Sequence, residues 1–339
     1  MNARKGLSPG ATSVTSRTAP TRETPSAIGA ARPSPQPGNI AHPVPTRQAL
    51  SEAAAGAVRD FRFTDHDFER VRRLIYREAG ISLSEAKRDM VYSRLARRLR
   101  ALGLDDFGAY LDRLERDASE FEPFTNALTT NLTAFFRESH HFPVLADYAA
   151  ALRRPLSIWC CAASTGEEPY SIAMTLVDKL GDSGYQSRIL ASDIDTAALG
   201  TASAGVYAAD GVKALPTAQL QRHFLRGRGA HDGQVRVNDR LRGMIEFEQM
   251  NLVAERWQAA SRVAPFDVIF CRNVMIYFDK PTQARILARF APLLRVGGLM
   301  FAGHSENFSQ MTRLFRLRGH TVYERVADAS ADRRGATVT

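Results

Sequence analysis

The stretch that most constrains this chain is residues 156–170, Leu-Ser-Ile-Trp-Cys-Cys-Ala-Ala-Ser-Thr-Gly-Glu-Glu-Pro-Tyr. An apolar run at 156–163 ends in a small-residue turn, Ser164, Thr165 and Gly166. Two carboxylates and a proline follow, and then Ile172, Ala173, Leu176, Val177 and Leu180 recur at helical spacing. Pro169 suits a first helical turn, where its missing N–H removes no hydrogen bond. The pattern predicts strand, tight turn and helix, the opening unit of an α/β sheet whose ligands sit at the carboxyl ends of the strands. The turn carries neither G-x-G-x-x-G nor G-x-x-x-x-G-K-[ST], and Glu167 and Glu168 would repel a pyrophosphate. It suits a nucleoside bearing positive charge, such as S-adenosylmethionine with its sulfonium and amino groups. Acids in a first helical turn are also favoured by the helix dipole alone, and the turn by itself leaves both readings open.

The rest of the composition narrows the class. No run approaches the ~18 apolar residues of a membrane span, and residues 1–20 lack the apolar core of a secretory signal. A cytoplasmic protein without membrane insertion is expected. Cys160, Cys161 and Cys271 have no zinc spacing, and adjacent residues of a strand face opposite ways. Buried free thiols in a reducing compartment are therefore expected. The eight histidines show no H-E-x-x-H spacing, and no metal is expected. The net charge of +9 calls for an acidic partner, of which nucleic acid is one class.

Taken in order, residues 1–59 are expected to be a disordered tail. The first 58 hold eight of the sixteen prolines and no Phe, Trp or Tyr, too little apolar surface to offset chain entropy. Residues 60–130 read as a small all-α domain. Thr64 and Asp67 form a capping-box variant ahead of Phe68, Val71 and Ile75. Gly80 ends that helix, and Ser84 caps the next, which runs to about Leu102. On this second helix Lys87, Arg94, Arg97 and Arg98 flank the stripe Val91, Leu95, Leu99 and Leu102. A solvated basic face is one reading; a docking strip for an acidic helix of a partner is the other. Two shorter helices are expected at about 106–117 and 119–128.

Residues 131–139 read as a linker that contributes to the site, because a bare connection seldom needs Phe-Phe-Arg; a helix start with core aromatics is the alternative. An α/β domain follows at 140–327. Its second strand, about 187–193, ends at Asp193, placed to accept both ribose hydroxyls of an adenosine. Asp195 is read as the cap of the next helix. Residues 205–242 break the rhythm with five glycines and short β-prone pieces. They predict a small antiparallel insertion, whose edge is either inert or able to take an extended peptide. Later strands lead to Asn251-Leu252 and to Arg272-Asn273, the latter followed by Met275-Ile276-Tyr277-Phe278. A helix opening at Pro281 is expected to end at Gly297-Gly298, a fifth strand spans 299–303, and 315–326 is a final strand or hairpin. Residues 328–339 read as a frayed tail.

Four segments together identify a resemblance: Asn-Leu-Thr-Ala-Phe-Phe-Arg at 131–137, Ala-Ser-Thr-Gly-Glu-Glu-Pro-Tyr-Ser at 163–171, Ala-Ser-Asp-Ile-Asp at 191–195 and Phe-Cys-Arg-Asn-Val-Met-Ile-Tyr-Phe at 270–278. They closely resemble the CheR family, chemoreceptor glutamate O-methyltransferases of bacterial chemotaxis, over roughly residues 60–327. The resemblance implies an α/β fold: a Rossmann-like S-adenosylmethionine-dependent methyltransferase domain with a small β-subdomain insertion, preceded by a small all-α domain. It implies S-adenosylmethionine as methyl donor, S-adenosylhomocysteine as product, and glutamyl side chains of the cytoplasmic part of chemoreceptors as acceptors, for sensory adaptation. Matched position by position, Asn131, Thr133, Arg137 and Glu168 would contact the cofactor, as would Asp193, Asn251, Leu252, Arg272 and Asn273. Arg137 and Tyr277 match positions that line the methyl-transfer site. In some members the β-subdomain grips a peptide from the receptor C-terminus, and residues 226–237 resemble that version. The resemblance gives the basic strip of Lys87, Arg94, Arg97 and Arg98 a use, steering acidic receptor helices. A monomer recruited to membrane receptor arrays is expected.

Of two rivals, the first shares the broad class and the second does not. A methyltransferase acting on nucleic acid would account for the basic charge, but no aromatic-interleaved basic motif supports it, and no nucleic-acid partner is expected. A non-catalytic receptor adaptor or adenosyl-ligand sensor would bind without transfer; Arg137, Asp193 and Tyr277 count against it.

Overall fold

Helix α1 (Asp65–Ala79) begins where the capping box puts it: the backbone N–H of Asp67 donates to Thr64 Oγ1, and that of Thr64 to Asp67 Oδ2 at 2.9 Å. Gly80 closes it at φ 69°. The structure, a computed structural model, describes residues 60–308 and 313–327; the tails expected at 1–59 and 328–339 lie outside the described residues. Helix α2 (Arg88–Leu102) starts later than the sequence predicts. Residues 85–87 form a separate tight turn, and the Ser84 side chain makes no cap bond. Helices α3 (Phe107–Arg116) and α4 (Phe121–Leu128) complete the group. Phe68, Val71, Leu95, Leu99, Tyr110 and Phe124 are buried in a core of their own.

The chain then alternates. Helix α5 (His141–Leu152), strand β1 (Ser157–Cys160), helix α6 (Glu167–Leu180), strand β2 (Arg188–Asp193) and helix α7 (Thr196–Ala204) come first. Strand β3 (Val206–Ala208), helix α8 (Thr217–His223), strand β4 (Phe224–Arg226) and strand β5 (Gln234–Val237) follow. Strand β6 (Ile245–Gln249), helix α9 (Gln258–Val263), strand β7 (Phe266–Cys271), helix α10 (Lys280–Phe290), strand β8 (Leu294–Ala302) and the strands β9 (Phe315–Gly319) and β10 (Val322–Arg325) end it. Seven strands form one sheet in the order β6-β2-β1-β7-β8-β10-β9. The first five are mutually parallel, and β10 is antiparallel to both its neighbours. The strand order reverses between β1 and β7, which opens a crevice at their carboxyl ends. Cys160 belongs to one face's core with Tyr170, Phe270 and Phe301, whereas Cys161 belongs to the other with Trp159, Phe290 and Met300. All three cysteines are buried and free.

One expectation fails in this part. Gly297 and Gly298 do not end a helix: α10 stops at Phe290, and both glycines lie inside β8. Pro292 is the reason, since it offers no N–H and clashes with the preceding turn. Leu294 is then buried from the strand instead, which begins there and not at Leu299.

Strands β3, β5 and β4 form a separate antiparallel sheet in that order. It is fastened to the turn after β1, because Tyr207 Oη donates to the carbonyl of Thr165 at 2.8 Å. Phe135 packs edge-on against Tyr207 and Phe224, with ring centroids 5.0 and 5.5 Å away. Phe136 turns the other way, onto Phe142 at 4.9 Å. The two aromatics of the linker thus anchor it to the small sheet and to α5. Among the described residues no helix is long and apolar enough to cross a membrane.

Candidate active site

A cavity of about 500 Å³ lies over the carboxyl ends of β1, β2, β6 and β7, roofed by residues that precede α2 and by the linker after α4. Asn131, Thr133, Arg137, Glu168, Asp193, Asn251, Leu252, Arg272, Asn273 and Tyr277 all line it. The crossing strand order brings these residues together from five separate segments. Ile81, Leu83, Ile194, Met250, Val274 and Phe278 supply an apolar lining between them.

The turn after β1 is held open by its backbone. Ser164 sits at φ 48° and Gly166 at φ 100°. A Cβ at Gly166 would lie 2.7 Å from Tyr207 Oη and 2.9 Å from Ala202, so no larger residue fits. The Ser164 N–H donates to Asp193 Oδ2 at 2.8 Å, which ties the first turn to the end of β2. Asp193 Oδ1 accepts from the Asp195 N–H at 3.0 Å. Burial pushes the Asp193 carboxyl upward, against the pull of these backbone donors.

Asp195 caps α7 as the sequence predicts, taking the Ala198 N–H on Oδ1 at 3.0 Å. Its other oxygen has a second role. Oδ2 accepts from Thr129 Oγ1 at 2.8 Å and Asn131 Nδ2 at 2.7 Å, and so pins the linker over the cavity. Asn251 is a similar brace, donating from Nδ2 to the Glu78 carbonyl at 2.6 Å and accepting the Val253 N–H on Oδ1. The helical part and the sheet part therefore meet through side chains that also line the cavity.

At the other end sits a buried ionic group. Arg272, 3% exposed, donates from Nη1 to Glu168 Oε2 at 2.8 Å and from Nη2 to the Arg137 carbonyl at 2.5 Å. Its Nη2 also lies 3.2 Å from Glu138 Oε2. Burial raises the Glu168 carboxyl in spite of the neighbouring guanidinium. Burial acts the same way on Glu138, but the His304 N–H, Arg272 and Asn273 outweigh it and hold that carboxyl below its ordinary value. Asn273 adopts φ 59°, and its Nδ2 donates to Glu138 Oε1 at 3.2 Å.

Two members of this group escape the sequence patterns. Glu306 is 3% exposed and accepts the N–H groups of Asn273, Met275 and Gly303 at 3.0, 2.8 and 2.5 Å. It fixes the loop that carries Arg272 to Tyr277, and burial raises its carboxyl. Glu138 directly follows Arg137, and only that adjacency could have marked it. Tyr277 is held by its backbone, whose carbonyl accepts from the Ser82 N–H at 2.8 Å, and its ring packs on the helical core. Arg137 Nη1 donates to the Leu132 carbonyl at 2.8 Å, so most of its fork remains for another acceptor.

The basic strip of α2 does not stand as one surface. Lys87 is exposed at the cavity mouth and Arg97 is exposed on the helix. Arg94, however, donates to the carbonyls of Leu128 and Thr129 and to Thr130 Oγ1, closing the end of α4. Arg98 makes a two-pronged pair with the buried Glu120, at 2.6 and 2.7 Å. Those two guanidiniums brace their own domain, which helical spacing alone does not reveal.

Two family models match this chain. The model described as CheR methyltransferase, SAM binding domain, matches residues 131–324, and the one described as CheR methyltransferase, all-alpha domain, matches residues 66–129. The chemotaxis protein methyltransferase of Klebsiella aerogenes is 57% identical over 262 residues, covering 77% of this chain and 89% of that protein. The chemotaxis protein methyltransferase of Escherichia coli is 55% identical over 262 residues, covering 77% and 91%. Chemotaxis protein methyltransferase 2 of Pseudomonas aeruginosa is 54% identical over 267 residues, covering 78% and 94%.

Proposed function

The chain belongs to the CheR methyltransferase family, and from that premise we propose that it methylates glutamyl side chains on the cytoplasmic part of chemoreceptors, using S-adenosylmethionine. The observation that carries this reading is the convergence of Asp193, Glu168, Arg137 and Tyr277 on one half-apolar cavity. The residues fit an adenosyl sulfonium. Two carboxylates, Glu138 and Glu168, hold the guanidinium of Arg272, so the buried group has negative charge to offer a cationic ligand.

In this reading Asp193 holds the ribose hydroxyls, Glu168 the methionyl ammonium, and Asn251 and Leu252 flank the adenine. When bound, S-adenosylmethionine supplies an electrophilic methyl group on a positively charged sulfur. The acceptor carboxylate, with an ordinary pKa of about 4.3, is already ionised near neutral pH, so the chain needs no general base. Its contribution is placement, an effect worth on the order of 7–11 kcal/mol. Arg137 orients the incoming carboxylate through its remaining N–H groups. The pairing must stay loose, since a tight salt bridge would stabilise the ground state. Tyr277 shapes the pocket around the reacting atoms. Lys87 and Arg97, the two exposed members of the basic strip, attract the acidic receptor helix. The edge of the three-stranded sheet supports capture of a receptor's C-terminal segment by strand addition.

The test is incubation with S-adenosylmethionine labelled in its methyl group and membranes bearing chemoreceptors. Base-labile label on a receptor band is the expected result, lost with Arg137→Ala. Label on nucleic acid, or cofactor binding without transfer, would overturn the assignment in favour of a nucleic-acid enzyme or an adaptor.

A further inference from the structure

Where the linker enters α5, three side chains form a group that the methyl-transfer reading leaves without a shared task. Glu138, His140 and His141 present ligand-type atoms that all lie within 4.8 Å of one another. His141 is fully buried. Its Nε2 lies 2.9 Å from the carbonyl oxygen of His320, an acceptor only, so Nε2 carries the proton and Nδ1 the lone pair. That Nδ1 is buried with no hydrogen-bond partner among the described residues. It faces Glu138 Oε2 at 3.8 Å. The buried Nδ1 lone pair thus faces a carboxylate oxygen and no donor, which is costly unless something positive lies between them.

We propose that Glu138, His140 and His141 form a binding site for a divalent transition-metal ion of the zinc class. Two imidazoles and one carboxylate are the donor set such ions prefer, and three protein ligands leave one coordination position open. The supporting shell is present. The His320 carbonyl fixes the His141 ring with Nδ1 as its ligating atom, and Glu138 is steadied by the His304 N–H at 3.2 Å. His140 is exposed and Glu138 partly so, which gives the ion a way in. Arg272 and the first turn of α5 oppose a cation here. Against them stand Glu138 itself and Glu168, two carboxylates paired with that one guanidinium. The sequence gives no warning, because Glu-x-His-His places its ligands at the entry to a helix and not at the familiar i, i+4 spacing.

Occupied, the site draws on the same carboxylate that steadies Arg272 and Asn273, so metal and cofactor oppose one another, and the opposition is reciprocal. This consequence rests on the methyl-transfer reading, whereas metal binding itself does not. The probe is cobalt(II), titrated into the full chain and followed by visible absorption, with zinc chloride as competitor. One equivalent is expected to bind with the ligand-field bands of a nitrogen- and oxygen-ligated ion, displaced by zinc. His140→Ala should weaken it at least tenfold without altering thermal melting or metal-free methyl transfer. No bands, or a His140→Ala titration that matches the parent, would overturn the site. A failure to bind S-adenosylhomocysteine in metal-free protein would instead strike the methyl-transfer reading and leave the cobalt result untouched.

Discussion

Replacing Arg272 by methionine removes the one cation from a group of buried acids while keeping much of the apolar stem. The guanidinium, 3% exposed, touches Glu168 Oε2 at 2.8 Å, Glu138 Oε2 at 3.2 Å and the Arg137 carbonyl at 2.5 Å. Deleting one partner of a buried pair strands the other and costs about 3–5 kcal/mol. At about 2–4 °C per kcal/mol for a domain of this size, the melting temperature should drop by roughly 6–20 °C. Glu168→Gln in the same chain removes the stranded charge. The double variant should therefore be more stable than Arg272→Met alone by at least about 1 kcal/mol. The sign with pH is also set. Glu168 already has a raised carboxyl, and losing Arg272 raises it further, so the deficit grows as pH rises through that value and shrinks in acid, where a protonated Glu168 needs no partner. Urea unfolding followed by circular dichroism measures the free-energy differences and their pH dependence, and a thermal scan gives the melting temperature. A single-variant loss under about 1 kcal/mol, or a double variant no better than the single, would refute the view that these charges depend on one another.

Other outcomes follow from the same geometry. Glu306→Ala leaves three backbone N–H groups without their acceptor, each worth about 1–3 kcal/mol; calorimetry should show S-adenosylhomocysteine affinity reduced at least tenfold, with Glu306→Gln recovering part. Asp193 and Glu168 both have carboxyls raised by burial, and a cationic ligand favours their ionised forms. S-adenosylmethionine affinity should therefore climb with pH through those raised values and then level off, with proton release seen in buffers of different ionisation enthalpy. Arg98→Ala should destabilise the helical part by about 1–3 kcal/mol by orphaning Glu120, while Arg97→Glu, at an exposed position, should leave stability unchanged and raise the receptor KM.

Local chemistry made much of this legible in advance. The Thr64–Asp67 box, the Asp195 cap, the opposite facing of Cys160 and Cys161 and the ends of β2 and β7 all follow from spacing over a few residues. Pairings between distant segments did not show. Glu306 acts on a loop thirty residues away in sequence, and no periodic pattern marks a lone acid after a strand. Arg94 and Arg98 look like surface charge on a helical wheel until α4 arrives to take them. Gly297 and Gly298 read as a stop signal on spacing alone, whereas Pro292, five residues before Gly297, ends the helix first.

In the proposed function the cavity beneath the linker takes an adenosyl ligand through the carboxylate at the end of β2. Isothermal titration of S-adenosylhomocysteine into the folded chain measures that directly. One equivalent should bind, and Asp193→Ala should weaken it at least tenfold with the fold intact by circular dichroism. No binding heat from well-folded protein, or an Asp193→Ala variant that binds as tightly as the parent, would contradict it.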